Sequence, residues 1–484
     1  MNIYLSEPQF KYETEKLCRI FLPFEKFVFT ADEKCAQVCC TLKRTDKGIT
    51  LSARLSLFDE TALLFENTEE KDEKELERRL AALLYRCFVK ITGYSSPWGI
   101  LTGVRPAKLF SSLAQKLGQD GAEQYFRRRL LVSSNKIELL KSTAAGERAI
   151  IELSEKRSAS IYIGIPFCPS RCSYCSFVSH SVEHAKKLIP QYVELLCREI
   201  EYTAEIAKKC NLNIETVYIG GGTPTTLSGE QLRAVMCAVR EHFCLDNLRE
   251  FTVEAGRPDT ATEERLKSIL NCGATRISIN PQTMNDRVLS AVGRRHTTAD
   301  TLKAMALARK IGFNNINMDL IAGLPEDSVE SFTKSLNDVL KLSPESVTVH
   351  TLCLKRSARL SVDGCREVLK QGNEAAQMVE YAKNTLINAG IFPYYMYRQS
   401  KMVGNLENVG YAKPGFEGLY NVYIMDETHT VLACGASAVT KLKNPETGAI
   451  ERIYNFKYPY EYCNRFQEQI KRKEQIERFY AELH

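Results

Sequence analysis

From Ile161 onward, short apolar runs alternate with stretches whose apolar residues recur at helical spacing. Ile161 to Ile165, Thr216 to Gly220, Phe251 to Ala255, Arg276 to Asn280, Ile316 to Ile321 and Val347 to Leu352 each precede such a stretch. This rhythm predicts strand-then-helix units in a parallel sheet or incomplete barrel. The helix after the third strand carries a start signal, Thr260 with Glu263 three residues on, and a stop at Gly273. Earlier in the chain the texture differs. KCAQVCCTLKRTDKGITLSARLSLF alternates around a TDKG turn and predicts a hairpin, and ENTEEKDEKELERRLAALLYRCFVK, from Glu66, predicts an amphipathic helix with an acidic start. Beyond residue 355 the pattern predicts a helix ending near NTLINAG, strands around IFPYYMYRQ, GLYNVYIM and TVLACGAS, and a charged C-terminal helix. The expected fold class is α/β: a partial (β/α)6 barrel over residues 156–355, flanked by an N-terminal α+β domain over 1–155 and a C-terminal mixed α/β domain over 356–484.

Composition narrows the function classes. A chain of 484 residues with 44% hydrophobic residues can bury two or three cores. The opening MNIYLSEPQFKYETEK places charges where a signal peptide needs an apolar core, and no later run is long enough to span a bilayer, so a soluble, cytoplasmic protein without a membrane span is expected. Its 17 cysteines are odd in number and scattered through apolar segments, which suits reduced thiols better than a disulfide framework. A net charge of +6, not gathered into a tail, gives no call for a nucleic-acid partner and is compatible with an anionic small molecule.

Against that background IYIGIPFCPSRCSYCSF stands out, with Cys168, Cys172 and Cys175 in one loop leaving the first strand of the barrel. Thiolates at spacings of four and three residues can fold around one compact metal centre. His180 or His184 could complete a zinc site, and three buried free thiols are the bland alternative. Three ligands suit a 4Fe-4S cubane whose fourth iron stays open for another molecule.

The spacing CxxxCxxC after a first strand, with Tyr174 before the last cysteine, resembles the radical S-adenosylmethionine superfamily. The later motifs follow in the order this resemblance implies. YIGGGTPT ends the second strand with Gly220, Gly221, Gly222 and Thr223, where backbone N–H groups can approach a charged ligand closely. Glu254 ends the third strand, where a carboxylate could accept two ribose hydroxyls. RISINPQ and GRRHT supply Gln282 and Arg294, and NMDLIAGLP supplies Asp319 and Ile321. Together with PWGILTGVRPAKL these motifs look like the oxygen-independent coproporphyrinogen III oxidase-like family, most like its HemZ branch.

The resemblance implies a 4Fe-4S cluster on Cys168, Cys172 and Cys175, and S-adenosylmethionine held by Tyr162, Gly221, Gly222, Thr223, Glu254, Gln282, Arg294, Asp319 and Ile321, with Tyr162 also catalytic. Some members carry a second S-adenosylmethionine, which CGASAVTK would help hold. The implied reaction converts two propionates of the tetrapyrrole coproporphyrinogen III to vinyls, giving protoporphyrinogen IX in haem biosynthesis, and requires an electron donor such as a flavodoxin or ferredoxin. The alternatives are a haem-binding chaperone of the HemW type and a radical enzyme acting on haem or another tetrapyrrole.

Departures accompany the match. Gly164 stands where the oxidases have histidine, Phe177 where they have a further cysteine, and YNVYIM keeps Asn421 but neither the histidine nor the tryptophan of the chaperone pattern. Arg105 and Lys108, flanking Pro106 at an apparent helix start, are candidate propionate contacts, although a solvated basic face beside a structural Trp98 is the simpler expectation, as it is for Arg127, Arg128 and Arg129.

Overall fold

The computed structural model describes residues 1–46, 48–175, 179–353 and 362–483, with backbone alone for 362–366. Phe177 lies outside the described residues. The chain compacts into two units: Met1–Ala144 with Thr351–Tyr381 and Met396–Asn408, and Ala145–His350 with Ala382–Tyr395 and Val409–His484. Residues 356–484, read from the sequence as one module, thus divide between both units.

The first unit holds a five-stranded sheet in the order Val28–Phe29, Asn2–Leu5, Val38–Thr45, Gly48–Leu57, Glu60–Thr68. The hairpin turns where expected, Thr45 pairing with Gly48. The helix does not begin at Glu66, which belongs to the last strand; it spans Glu73–Thr92, because the Asp72 carboxylate accepts from the Lys74 N–H and caps it there. It buries Leu76, Leu80, Leu83, Leu84, Cys87 and Phe88 and stops at Gly93, whose φ is +69°. Trp98 is fully buried, its indole N–H donating to Glu407 at 2.6 Å with Arg398 over its ring, so it is a structural anchor. Pro106 opens the helix Pro106–Gln124 directly after Arg105, while Arg127 pairs with Glu123 and Arg129 with Glu75.

The second unit carries most of an open, eleven-stranded sheet. Its strands are β1 (Ser158–Ile165), β2 (Asn213–Gly221), β3 (Glu250–Glu254), β4 (Arg276–Ser278), β5 (Ile316–Ala322), β6 (Ser346–Thr351), β7 (Phe392–Tyr397), β8 (Asn408–Ala412), β9 (Thr430–Cys434), β10 (Val439–Lys443) and β11 (Ile450–Tyr454). They lie in the order β7-β8-β6-β5-β4-β3-β2-β1-β9-β10-β11. Strands β1 to β5 pair parallel in succession and β9 joins β1 parallel, whereas β8 is antiparallel to β6 and β10 to β9. The α/β partial barrel is therefore as expected, and the C-terminal strands extend its sheet at both ends.

Two local expectations are corrected. GLYNVYIM is not a strand but the helix Leu419–Asp426, whose first N–H, on Leu419, donates to the Glu250 carboxylate at 2.6 Å. The helix after β3 spans Glu263–Asn271 and is capped by Thr262, not Thr260, the Thr262 hydroxyl accepting from the Arg265 N–H. Thr260 instead donates to the Arg257 carbonyl and pairs with the Thr225 hydroxyl. Gly273, with φ +84°, follows the helix end as expected.

Candidate cofactor site

Parallel strands covered on both faces usually read as continuous apolar runs. Here they alternate. Ile161, Ile163, Ile165, Val217, Ile219, Phe251, Val253, Ile277, Met318, Leu320, Val347 and Val349 form one buried apolar face. The residues between them are polar or glycine, and strand register stacks them in layers. Ser160, Thr216 and Glu250 form one layer; Tyr162, Tyr218, Thr252 and Arg276 the next; Gly164 and Gly220 align above them, as do Glu254, Ser278 and Asn317. Neighbours within this face are bonded: the Ser160 and Thr216 hydroxyls lie 2.6 Å apart, Arg276 donates to Ser346 at 3.0 Å and Thr348 to Asn317 at 3.1 Å. Tyr420, from the helix Leu419–Asp426, stacks on Tyr218 with ring centroids 4.6 Å apart, and Tyr162 lies 6.3 Å from each.

Toward the carboxyl ends of the strands this face gathers ionisable groups. Glu254 accepts from the Tyr218 hydroxyl at 2.5 Å. Burial raises the Glu254 carboxyl to about 7, with Asp319 adding to the rise and the Tyr218 hydroxyl and Gly221 N–H opposing it. Burial works to raise Asp319 as well, but the His350 imidazole, 3.6 Å away, and the Asn317 amide at 2.7 Å outweigh it and leave its carboxyl below the usual range. Burial pushes the phenols of Tyr162, Tyr218 and Tyr420 upward, and the Glu254 charge adds to each rise.

Backbone bonds bring Gln282, Asp319 and Ile321 together. The Gln282 N–H donates to the Asp319 carbonyl and its own carbonyl accepts from the Ile321 N–H, both at 2.9 Å, which holds Gln282 at φ +70°, an uncommon conformation for its residue type. Arg294 donates to the Asn280 carbonyl at 2.7 Å and to the Tyr174 hydroxyl at 3.1 Å, so it joins the loop of the cysteines to the end of β4.

The cysteine loop leaves β1 beside the glycine turn. Gly222 donates to the Ile165 carbonyl and Thr223 to the Phe167 carbonyl, at 2.8 and 2.7 Å, and the Thr223 hydroxyl lies 3.6 Å from the Cys168 sulfur. A Cβ on Gly222 would fall 2.5 Å from the Phe167 carbonyl oxygen and 3.0 Å from that sulfur, so the close approach requires glycine. Cys168 and Cys175 are half-buried and Cys172 is buried. His180 packs edge-on against Tyr458 and Tyr460. Among the described residues no three His, Cys, Asp or Glu side chains converge on a single-ion site. The CGASAVTK segment meets β1: Gly435, with φ +96°, packs so that a Cβ would lie 2.4 Å from the Gly164 carbonyl oxygen. A Cβ on Gly164 in turn would sit 3.2 Å from the Ala436 carbonyl oxygen, which leaves little space there for the histidine of the oxidases.

These residues fit a cofactor with an iron-sulfur part and a polar organic part. Ser278 Oγ and Asn280 Oδ1 are buried without a hydrogen-bond partner among the described residues at the end of β4, as expected of groups that await a ligand. Cys168 of the thiol loop borders the glycine turn, and Glu254 and Asp319 supply acceptors on the polar face of the strands. The sequence reading missed Tyr218, Ser278, Asn280 and His350; the polar residue at every second position along and just beyond each strand was the available signal.

The model of the radical SAM superfamily matches residues 162–339. A Bacillus subtilis (strain 168) protein described as oxygen-independent coproporphyrinogen-III oxidase-like protein HemZ is 36% identical over 452 residues, covering 91% of this chain and 90% of its own length. The haem chaperone HemW of the same organism is 33% identical over 282 residues, covering 57% of this chain and 70% of its own length. Among solved structures, the coproporphyrinogen III oxidase HemN of Escherichia coli, described as a radical SAM enzyme, superposes with a TM-score of 0.50 at 23% identity, covering 68% of this chain and 73% of that one.

Proposed function

The chain belongs to the radical SAM superfamily and, within it, to the oxygen-independent coproporphyrinogen-III oxidase-like family of HemZ, and we propose that it converts two propionates of coproporphyrinogen III to vinyl groups, giving protoporphyrinogen IX. The observation that carries this reading is the polar inner face of the barrel, with the unpartnered Ser278 and Asn280 atoms, Glu254, Asp319 and the cysteine loop at one end of it. A bound cluster and S-adenosylmethionine would supply a primary carbon radical able to take hydrogen from an unactivated propionate carbon.

The chain's own residues have other tasks. Cys168, Cys172 and Cys175 would ligate the cluster, and the Gly221–Thr223 turn would bring backbone N–H groups close to the methionine end, with Arg294, bonded to Tyr174 of the cysteine loop, as a further contact. Glu254, Asp319, Ser278 and Asn280 offer oxygen atoms to the ribose hydroxyls and amino groups, with Gln282 and Ile321 held beside them by β5. Tyr162, Tyr218 and Tyr420 form a stacked floor of neutral phenols against which a planar group can rest, away from water. The substrate propionate would give up a hydrogen atom to that radical, then carbon dioxide, and one electron to an external one-electron acceptor, a sequence that asks no side chain to act as nucleophile.

An anaerobic assay with reconstituted protein, S-adenosylmethionine, reductant and coproporphyrinogen III tests the reading. The expected result is 5'-deoxyadenosine together with loss of two carboxyl groups, through an intermediate with one vinyl and three propionates. Alanine at Cys168, Cys172 or Cys175 should abolish both the product and most bound iron. The likeness to HemW favours a second reading, a haem carrier: uncoupled cofactor cleavage, with haem retained through gel filtration, would replace the first by the second.

A further inference from the structure

Arg257 has no part in the roles given above. It follows β3 in the segment EAGRPD and is 3% exposed. Its guanidinium is held on several sides: Nε donates to Asp259 Oδ1 at 3.1 Å, Nη2 to Asp259 Oδ2 at 3.3 Å and to Ser170 Oγ at 3.2 Å, and Nη1 to the Cys172 sulfur at 3.7 Å. Ser170 in turn donates to the Gly293 carbonyl at 3.2 Å. Two residues of the thiol loop, one of them a cluster ligand in the reading above, therefore hang from one buried cation. Asp259, one quarter exposed, balances that cation from the other side.

We propose that Arg257 is a positioning residue for the cluster, which fixes the loop through Ser170 and Cys172 and raises the cluster's reduction potential. The inference rests on the cluster reading above. Reduction adds one negative charge to the cluster. A desolvated guanidinium donating to a ligand sulfur stabilises that extra charge, and does so more strongly in a dry site than in water. Asp259 opposes the effect at longer range. Neutralising the arginine and neutralising the aspartate must then move the potential in opposite directions, which a merely structural role for the pair does not require.

The test is an EPR-monitored redox titration of the full chain with its cluster reconstituted anaerobically. Arg257→Met should lower the equilibrium constant for one-electron reduction at least about tenfold, a shift of roughly 59 mV to more negative potential. Arg257→Lys, which keeps the charge and loses the forked contact, should stay close to the wild-type potential while releasing iron faster to a chelator. Asp259→Asn should shift the potential positively. An unchanged potential in loaded Arg257→Met, or shifts of the same sign in Arg257→Met and Asp259→Asn, overturns the proposal. If Arg257→Met fails to hold a cluster, Asp259→Asn decides: a positive shift supports the proposal, and a zero or negative shift overturns it. Wild-type protein with no cluster signal would instead overturn the cluster reading on which the proposal rests.

Discussion

The Glu254 carboxyl is governed by burial, which lifts it to about 7 from an ordinary 4.5. A group with a raised folded-state pKa contributes stability that is complete below its unfolded pKa and is lost as pH rises through the folded one. The cofactor-free protein should therefore lose up to about 3 kcal/mol of stability between pH of roughly 4.5 and 7.5 through this residue. Urea unfolding of wild type against Glu254→Gln checks this, since the glutamine lacks that component. Ligand hydroxyls donate to the carboxylate, not to the acid, so S-adenosylmethionine affinity should rise about tenfold from pH ~6 to ~8 in wild type and stay flat in the variant. A flat wild-type profile would remove Glu254 from the ribose contacts. Arg257 shows what residue-level reading misses: its charge matters because the fold brings it to a sulfur 85 positions away, and no local spacing announces that.

Among the elements, the strand rhythm is legible in the sequence because apolar residues and turn signals are local. Every expected barrel strand is present, shifted by at most a few residues, as β1 beginning at Ser158 illustrates. The polar face was equally readable: SIYIG, TVYIG, EFTVE and RISIN alternate residue by residue, a pattern that signals a buried polar face in a parallel sheet. The helix Leu419–Asp426 was not readable. Its β-branched and aromatic residues favour a strand, and what starts it is the Glu250 carboxylate, 169 residues distant, accepting from the Leu419 N–H. The same carboxylate accepts from Thr252 and faces Arg276, which is fully buried and has an unpartnered Nε. Glu250→Ala should thus both uncap the helix and strand a buried cation, lowering stability by about 3 to 5 kcal/mol. Chemical denaturation provides the measure, and a loss below about 1 kcal/mol would show that Arg276 finds other acceptors inside the barrel.

For the whole molecule, the decisive feature is that distant segments finish one sheet. Strand β9 pairs with β1 across more than 250 positions, as Ala433 against Tyr162 shows, and thereby brings the Gly435 turn onto Gly164 beside the cysteine loop. What secures that turn is a buried network on Glu199. Its carboxylate accepts from the Gly435 N–H at 2.7 Å, the Tyr462 hydroxyl at 2.8 Å, the Asn455 amide at 2.9 Å and the Gln469 amide at 3.2 Å, and pairs with Lys473 at 3.1 Å, both charged side chains being fully inaccessible to solvent. Lys473, from the C-terminal helix Phe466–Ala481, also donates to the Ala433 carbonyl on β9. None of this could be read from the sequence, where Glu199 and Lys473 look like surface charges on amphipathic helices. A buried pair contributes little net energy, but either partner left alone is an uncompensated charge. Lys473→Met should therefore destabilise the protein by about 3 to 5 kcal/mol. The double variant Glu199→Gln, Lys473→Met should recover part of that loss, with a coupling of about 0.5 to 3 kcal/mol between the two sites in a denaturant-based cycle. Strict additivity would mean that the two charges are held independently, and that the Gly435 turn owes its place to packing instead of to the ion pair.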